Sequence, residues 1–457
     1  MAYNRKQRLN DNIKAIETAF ILDREQRTPT ARERLLLERY CGFGGLKCIL
    51  NPARELADAV HWAKSDLELF APTVELHRLI RENSKNESEY KQLMDSLKQS
   101  VLTAFYTPSA VTEALTDVLK EHQIIPEKVL EPSAGIGAFV DSVLDNNPKA
   151  GIMAFEKDLL TGKILRHLHP EQKVRIEGFE KIEKPFNDYF DLAISNIPFG
   201  DVAVFDPSYT AMKGMRALVT RRIHNYFFVK ALDTVRDGGL VAFITSQGVL
   251  NAKNNSAARF MMLYHADLVS AIRLPNNLFT ENANTEVGSD LIILQKNSQK
   301  ESLRGDDNLL DTVYNDENRI PTNNYFLEHP ERIIHTTAKL DTDPFGKSAM
   351  IYTHEDGVEG IAEDLRKMLH EDFKRNLNLN RYLGIEETKA EEIKEVEETE
   401  KIEKTEKIKP SIEVKQNDTV VSLQKQEKPT DDAELSQKSN HQQPPVQMTL
   451  FDLWGIE

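Results

Sequence analysis

From residue 101 onward, short apolar runs alternate with longer amphipathic stretches, and this rhythm restricts the fold more than any other feature. Runs at 128–131, 151–155, 174–177, 191–195, 240–245, 268–273 and 290–295 have the length and apolar character of buried strands. Helical spacing fills 109–122, 138–145, 159–168, 223–235 and 256–264. Parallel neighbours cannot be joined by a tight turn, so strands that alternate with helices belong to one sheet covered on both faces. The expectation is an α/β fold with a Rossmann-like, doubly wound sheet of seven strands. The segment 274–289 has no helical pattern, so the last strand can enter antiparallel as a hairpin.

The flanks differ in kind. In 1–100, Leu9, Ile13, Ile16, Ala19 and Phe20 form one helical stripe, and 35–37 begin another. Tyr40-Cys41-Gly42-Phe43-Gly44-Gly45-Leu46 interrupts that pattern with a turn that needs positive φ at a glycine. The expected organisation is a helical region over 1–100, the α/β domain over 101–298 and an accessory region over 299–385 without legible chemistry. A disordered charged and polar linker over 386–443 and an apolar peptide over 444–457 complete it. No apolar stretch approaches a membrane span, and residues 1–10 hold no signal-peptide core. Cys41 and Cys48 make neither a disulfide framework nor a zinc cluster, so a reduced, cytoplasmic chain without metal is expected.

Four segments carry candidate chemistry. Glu131 ends the first strand, and Gly135-Ile136-Gly137 follows, opening a helix. The third glycine of a dinucleotide site is missing, because Ala138-Phe139-Val140 comes next. Glu131 can instead hold an ammonium group, and Glu156, at the end of the second strand, can accept from ribose hydroxyls. An ammonium, a ribose and no phosphate describe S-adenosylmethionine. Phe105-Tyr106-Thr107-Pro108 starts the helix before the first strand, and its N-terminus suits a carboxylate. Asn196-Ile197-Pro198-Phe199 ends the fourth strand; an amide, a proline and an aromatic ring there can grip a flat amine.

These segments together resemble the adenine-N6 DNA methyltransferases over roughly 101–297. Phe105–Pro108 looks like the family's cofactor motif ahead of the first strand. Glu131–Phe139 looks like its main S-adenosylmethionine motif, which adds Pro132, Ser133 and Phe139 to the cofactor candidates. Asn196–Phe199 looks like its catalytic (Asn/Asp)-Pro-Pro-(Tyr/Phe), with Ile197 in place of the first proline. Near Ile176-Glu177-Gly178-Phe179 the usual acidic contact to the cofactor adenine is not matched, and Phe179 is the candidate there. Arg273-Leu274-Pro275, with Phe279 and 282–290, is similar to type I modification subunits. Tyr40–Leu46 followed by Phe105–Pro108 looks like methylase portions of large phage and conjugative-element proteins. The resemblance implies methyl transfer to a flipped adenine, within restriction-modification or on a mobile element, with a specificity subunit or helicase as a possible partner.

Charge bears on the substrate. The net charge is −15; from residue 386 the chain holds 10 Lys/Arg and 18 Asp/Glu, which leaves the remainder at roughly −7. DNA contact therefore needs a local patch, for which Lys213, Arg216, Arg221 and Arg222 are the candidates, solvated loop charges being the alternative. Methylation of a protein glutamine amide and a catalytically weak DNA-binding or scaffold subunit stay open as other readings. Gln447, Leu450 and Phe451 resemble the Gln-x-x-Leu-Phe peptide that binds the bacterial sliding clamp, with packing onto the chain's own domain as the alternative.

Overall fold

The apolar runs become strands because successive side chains point to opposite faces, and each face finds its own core. The computed structural model describes residues 4–385 except 104–105, 213, 281–285, 304–306, 315–318 and 344–345. Its main sheet holds β1 (Lys128–Glu131), β2 (Gly151–Phe155), β3 (Lys173–Arg175), β4 (Phe190–Asn196), β5 (Val235–Ser246), β6 (Ala266–Leu274) and β7 (Ser289–Lys296). The order is β3-β2-β1-β4-β5-β7-β6. The first five strands pair in parallel, and β7 runs antiparallel to both β5 and β6. The doubly wound sheet and its antiparallel last strand are those the sequence implied.

Several strand boundaries differ from expectation, and at two of them the structure shows how. β3 stops at Arg175, whose guanidinium donates to Glu177 at 2.6 Å and Glu183 at 2.5 Å as the chain turns away. β5 begins at Val235, opposite Phe190, before a register shift restores the ladder at Leu240.

Alternation sorts the side chains onto two cores. Val129, Leu192, Ile194, Leu240, Ala242 and Ile244 face α5 (Ser109–Glu121), α6 (Ala138–Asn146) and the Gly357–Asn376 helix. Leu130, Ala193, Val241 and Phe243 face the Ile223–Thr234 and Ser256–His265 helices. The 299–385 segment completes the cover: Asp372 accepts from Ser270 Oγ of β6 at 2.7 Å and pairs with Arg332 at 3.0 Å.

The N-terminal helices α1 (Arg5–Glu25), α2 (Ala31–Leu37), α3 (Phe70–Glu82) and α4 (Glu87–Thr103) bury the expected Leu9, Ile13, Ile16, Ala19 and Phe20. Their core is shared with Leu160, Ile164 and Leu168 of α7 (Leu159–Leu168), a helix of the sheet domain. Gly42 and Gly45 both take positive φ, at 67° and 76°. The fully buried Asn12 side chain holds that turn, accepting from Cys41 N–H at 2.9 Å and donating to Gly42 C=O at 2.7 Å. Among the described residues no helix is long and apolar enough to cross a membrane.

Candidate active site

The winding of the sheet reverses at β1, which pairs with β2 on one side and β4 on the other. Such a switch point opens a crevice at the carboxyl ends of the strands. Glu131 ends β1 and Asn196 ends β4, so the two motifs share that crevice. One hydrogen bond ties them together, from Ser195 Oγ to the Ser133 carbonyl at 3.1 Å.

The loop between β1 and α6 needs both of its glycines. Gly135 has φ 56° and Gly137 has φ 93°, a region that side chains with a Cβ adopt at a cost. A Cβ on Gly135 would lie 2.8 Å from Tyr106 Cε1, so the Tyr106 ring packs directly against the loop. A Cβ on Gly137 would lie 2.8 Å from both His169 Nε2 and Leu165 Cδ1. Gly137→Ala is therefore expected to lower stability by about 1–3 kcal/mol and to weaken cofactor binding. Urea unfolding and calorimetric titration read the two effects.

Glu156 fixes the loop from the neighbouring strand. It accepts from Gly135 N–H at 2.8 Å and from Asp158 N–H at 2.6 Å, which leaves lone pairs for a ligand. Asp158 caps α7, accepting from Thr161 N–H at 2.7 Å, and also takes the Ser96 hydroxyl of α4 at 2.7 Å. Thr161 in turn faces the Tyr40 hydroxyl at 3.1 Å and the Tyr106 hydroxyl at 3.5 Å.

Carboxylates crowd this site. Burial pushes Glu131 well above the usual range, and the charges of Asp141 and Glu156 push it further. Its Oε2 is buried with no hydrogen-bond partner. Burial, then the charge of Asp158, raises Glu156 to about 7. Burial raises Asp141 to about 6 and lowers the nearby His169 to about 4. A buried, unpartnered carboxylate oxygen is costly, and a cationic ligand would relieve it. An ammonium group fits that oxygen, and a ribose fits Glu156.

A cavity of about 340 Å³ opens beside the loop, with Tyr106, Thr107, Pro108, Ala138 and Asp141 in its wall and Arg8, Tyr40 and Cys41 on the N-terminal side. Thr107 Oγ1 is buried there without a hydrogen-bond partner. Neither the Tyr40–Cys41 wall nor the Asp158–Ser96 link was foreseen from the sequence. Asp158 preceding Leu159 was a readable cap signal.

The structure thus brings together Tyr106, Thr107, Pro108, Glu131, Ser133, Gly135, Gly137, Glu156 and Asn196, with Pro132 buried within the loop. Phe139 and Phe179 are buried in the two cores, the Phe179 ring lying 5.7 Å from Phe155 and 5.3 Å from Phe227. Ile197 is 1% exposed, with its side chain in the core, and its N–H donates to the Ile244 carbonyl at 3.0 Å. A proline could not make that bond. Pro198 and Phe199 are half-buried, and Phe199 meets Phe279 edge to face at 6.3 Å. Arg216 is forked onto Asp233 at 2.6 and 2.9 Å, Arg222 pairs with Asp201 at 3.4 Å, and Arg221 is exposed. Phe105, Lys213, Gln447, Leu450 and Phe451 lie outside the described residues.

The chain is 29% identical over 201 residues to the defense against restriction protein B of Escherichia phage P1, a match covering 43% of this chain and 8% of that protein. It is 25% identical over 173 residues to the type II methyltransferase M.XamI of Xanthomonas campestris pv. amaranthicola, covering 35% of this chain and 33% of that one. The chain therefore spans a minor part of the length of either relative. Among solved structures, it is similar to a class I S-adenosylmethionine-dependent methyltransferase from Listeria monocytogenes (TM-score 0.39, 15% identity, 66% of this chain and 91% of that one). It is also similar to a type I restriction enzyme modification subunit from Vibrio vulnificus YJ016 (TM-score 0.37, 15% identity, 64% and 67%). With a glycine loop and an Asn-Ile-Pro-Phe turn joined at one switch point, and with the N-6 DNA methylase family model matching residues 88–391, this chain belongs to the N-6 DNA methylase family.

Proposed function

We propose that this chain methylates the exocyclic N6 amine of adenine in DNA after the base is flipped out of the duplex. S-adenosylmethionine-dependent methyl transfer is the chemistry of its family. The observation that carries the reading is the Ser195–Ser133 hydrogen bond, which sets the Asn196 turn against the cofactor loop. The cofactor, when bound, supplies a methyl group on a positively charged sulfur.

Glu131 and Glu156 hold the donor's ammonium and ribose in this scheme. The exocyclic amine of adenine is a poor nucleophile, because its lone pair is delocalised into the ring. The Asn196 side-chain carbonyl and the Ile197 backbone carbonyl each accept one N–H, which turns the lone pair toward the methyl group. Phe199 stacks on the base, and Pro198 stiffens the turn. The ladder bond from Ile197 N–H to Ile244 fixes the peptide that presents this carbonyl. Transfer in a duplex requires the base to leave the stack.

Expression in a host without adenine methylation, followed by sequencing that detects modified bases, is expected to show N6-methyladenine. Intact cofactor binding with no modified adenine sinks the DNA reading, and methylated protein in its place moves the substrate to a glutamine amide.

The pH dependence of cofactor binding follows from Glu156. A ribose donates to the ionised carboxylate, so protonation competes with binding. The group sits at about 7 in the ligand-free protein. Affinity is expected to be flat above that pH and to fall as pH drops through it, by up to roughly tenfold per unit. Glu156→Gln removes the slope and weakens binding at high pH. Isothermal titration between pH 5.5 and 8.5 reads both, and an unchanged slope in the variant assigns the titration elsewhere.

A further inference from the structure

The segment between the Asn-Ile-Pro-Phe turn and the Ile223–Thr234 helix is strongly anchored, with one ring left out of the anchoring. Asp206 is 3% exposed and accepts from Tyr226 Oη at 2.7 Å, Lys230 Nζ at 3.2 Å and Ser208 N–H at 2.8 Å. Val204 N–H donates to the Thr220 carbonyl at 2.8 Å, and its side chain packs on the core. Arg222 joins Asp201 to Asn255, at 3.4 and 3.3 Å. Arg216 and the Tyr209 hydroxyl both bind Asp233. Between the anchored Val204 and Asp206, Phe205 is 77% exposed, and Val202 is 61% exposed.

A large ring usually reaches the surface on a loose tip, where it can fold back onto apolar neighbours. Here the residues on both sides of Phe205 are fixed by hydrogen bonds, so the ring is held outward on a rigid mount. It lies six residues beyond Phe199, and Phe199 is itself half-buried against Phe279. The second ring is therefore left over once the first is assigned to the target base. Flipping a base leaves a gap in the stack, and apolar side chains can insert between base steps while aromatic rings stack on bases.

We infer that Phe205 is the wedge that enters the duplex and occupies the space vacated by the flipped adenine. The inference rests on the DNA reading above. Phe205 acts through the position of the base and does not touch the reacting atoms. Exposed Arg221, on the same segment, is a cation available for the flanking phosphate.

The test uses the full chain and a duplex carrying a site found by sequencing the DNA it modifies. A second duplex places an abasic site opposite the target adenine, so that flipping costs little. Phe205→Ala is expected to lower kcat/KM on the paired duplex roughly ten- to a hundred-fold, with the abasic duplex methylated at close to the wild-type rate. Phe205→Trp should restore the paired duplex, and 2-aminopurine at the target should brighten with wild type and less with Phe205→Ala. An equal loss on both duplexes, or no loss on either, overturns the wedge and leaves the DNA reading intact; the first of these outcomes marks a general binding surface or a protein contact. Absence of any modified adenine in the sequenced DNA overturns the DNA reading and the wedge together.

Discussion

Asn196→Ala is expected to lower methyl transfer by about 10²–10³-fold while leaving cofactor affinity within about twofold. The asymmetry follows from position. The Asn196 backbone completes the β4–β5 ladder opposite Ile244, which alanine preserves. Glu131 and Glu156, the proposed cofactor contacts, stand on β1 and after β2, apart from the Asn196 side chain. In the proposed mechanism the substitution removes only the side-chain carbonyl that accepts from the amine. Asn196→Asp keeps an acceptor at the same place and should retain part of the rate. Single-turnover transfer of a labelled methyl group, paired with calorimetric cofactor titration, separates the two quantities. A parallel loss of cofactor affinity makes Asn196 a structural residue and removes it from the mechanism.

Glu131→Gln is expected to move stability and binding in opposite directions. The wild-type carboxyl is 2% exposed, with one oxygen unpartnered, and burial followed by the charges of Asp141 and Glu156 raises it far above its ordinary value. A group raised in this way favours the folded state while protonated, and the contribution is lost as pH rises from the unfolded value toward the folded one. Glu156 acts with the same sign between 4.5 and about 7. The ligand-free wild type should therefore lose stability, relative to Glu131→Gln, as pH rises above about 4.5. At neutral pH the variant should be more stable by about 1–3 kcal/mol, because folding no longer has to protonate a carboxylate that is ionised in the unfolded chain. Its cofactor affinity should drop at least tenfold, since a neutral amide cannot replace a carboxylate beside an ammonium group. Thermal denaturation across pH 5–8, with and without cofactor, reads both arms. A destabilised variant means that Glu131 is satisfied in the folded chain and is not held in reserve for a cation.

The parts of the site that were legible from sequence are those set by backbone position. Glu131, Gly135, Gly137, Glu156 and Asn196 each stand at the end of a strand or in a turn with positive φ, and such positions show in short-range patterns. Phe139 and Phe179 were less legible, because an aromatic residue in a motif looks the same whether it lines a ligand or fills a core. Phe179 turned out to lie among Phe155, Tyr226 and Phe227. Arg216 read as a free cation because its partner, Asp233, lies a loop and a helix away. The 299–385 segment was opaque for a similar reason. Its three-residue strands β8 (Thr312–Tyr314) and β9 (Pro321–Asn323) carry almost no periodicity, and the Gly357–Asn376 helix finds its partner in β6, far upstream. Ile197 departs from the family's proline, yet its N–H extends the ladder and its side chain packs in the core.

Residue 100 looked like a natural place to divide the chain, and the packing gives that division a different meaning. Ser96 grips Asp158, two residues beyond Glu156, and Tyr40 reaches Thr161 one turn further on. Leu160, Ile164 and Leu168 have their apolar partners in the first hundred residues. A recombination or an engineered fusion cut at that point would inherit all four segments that carry candidate chemistry, yet the cavity beside the glycine loop would lose its outer wall and α7 its bedding. The packed unit includes the first helix, which lies well before the glycine loop.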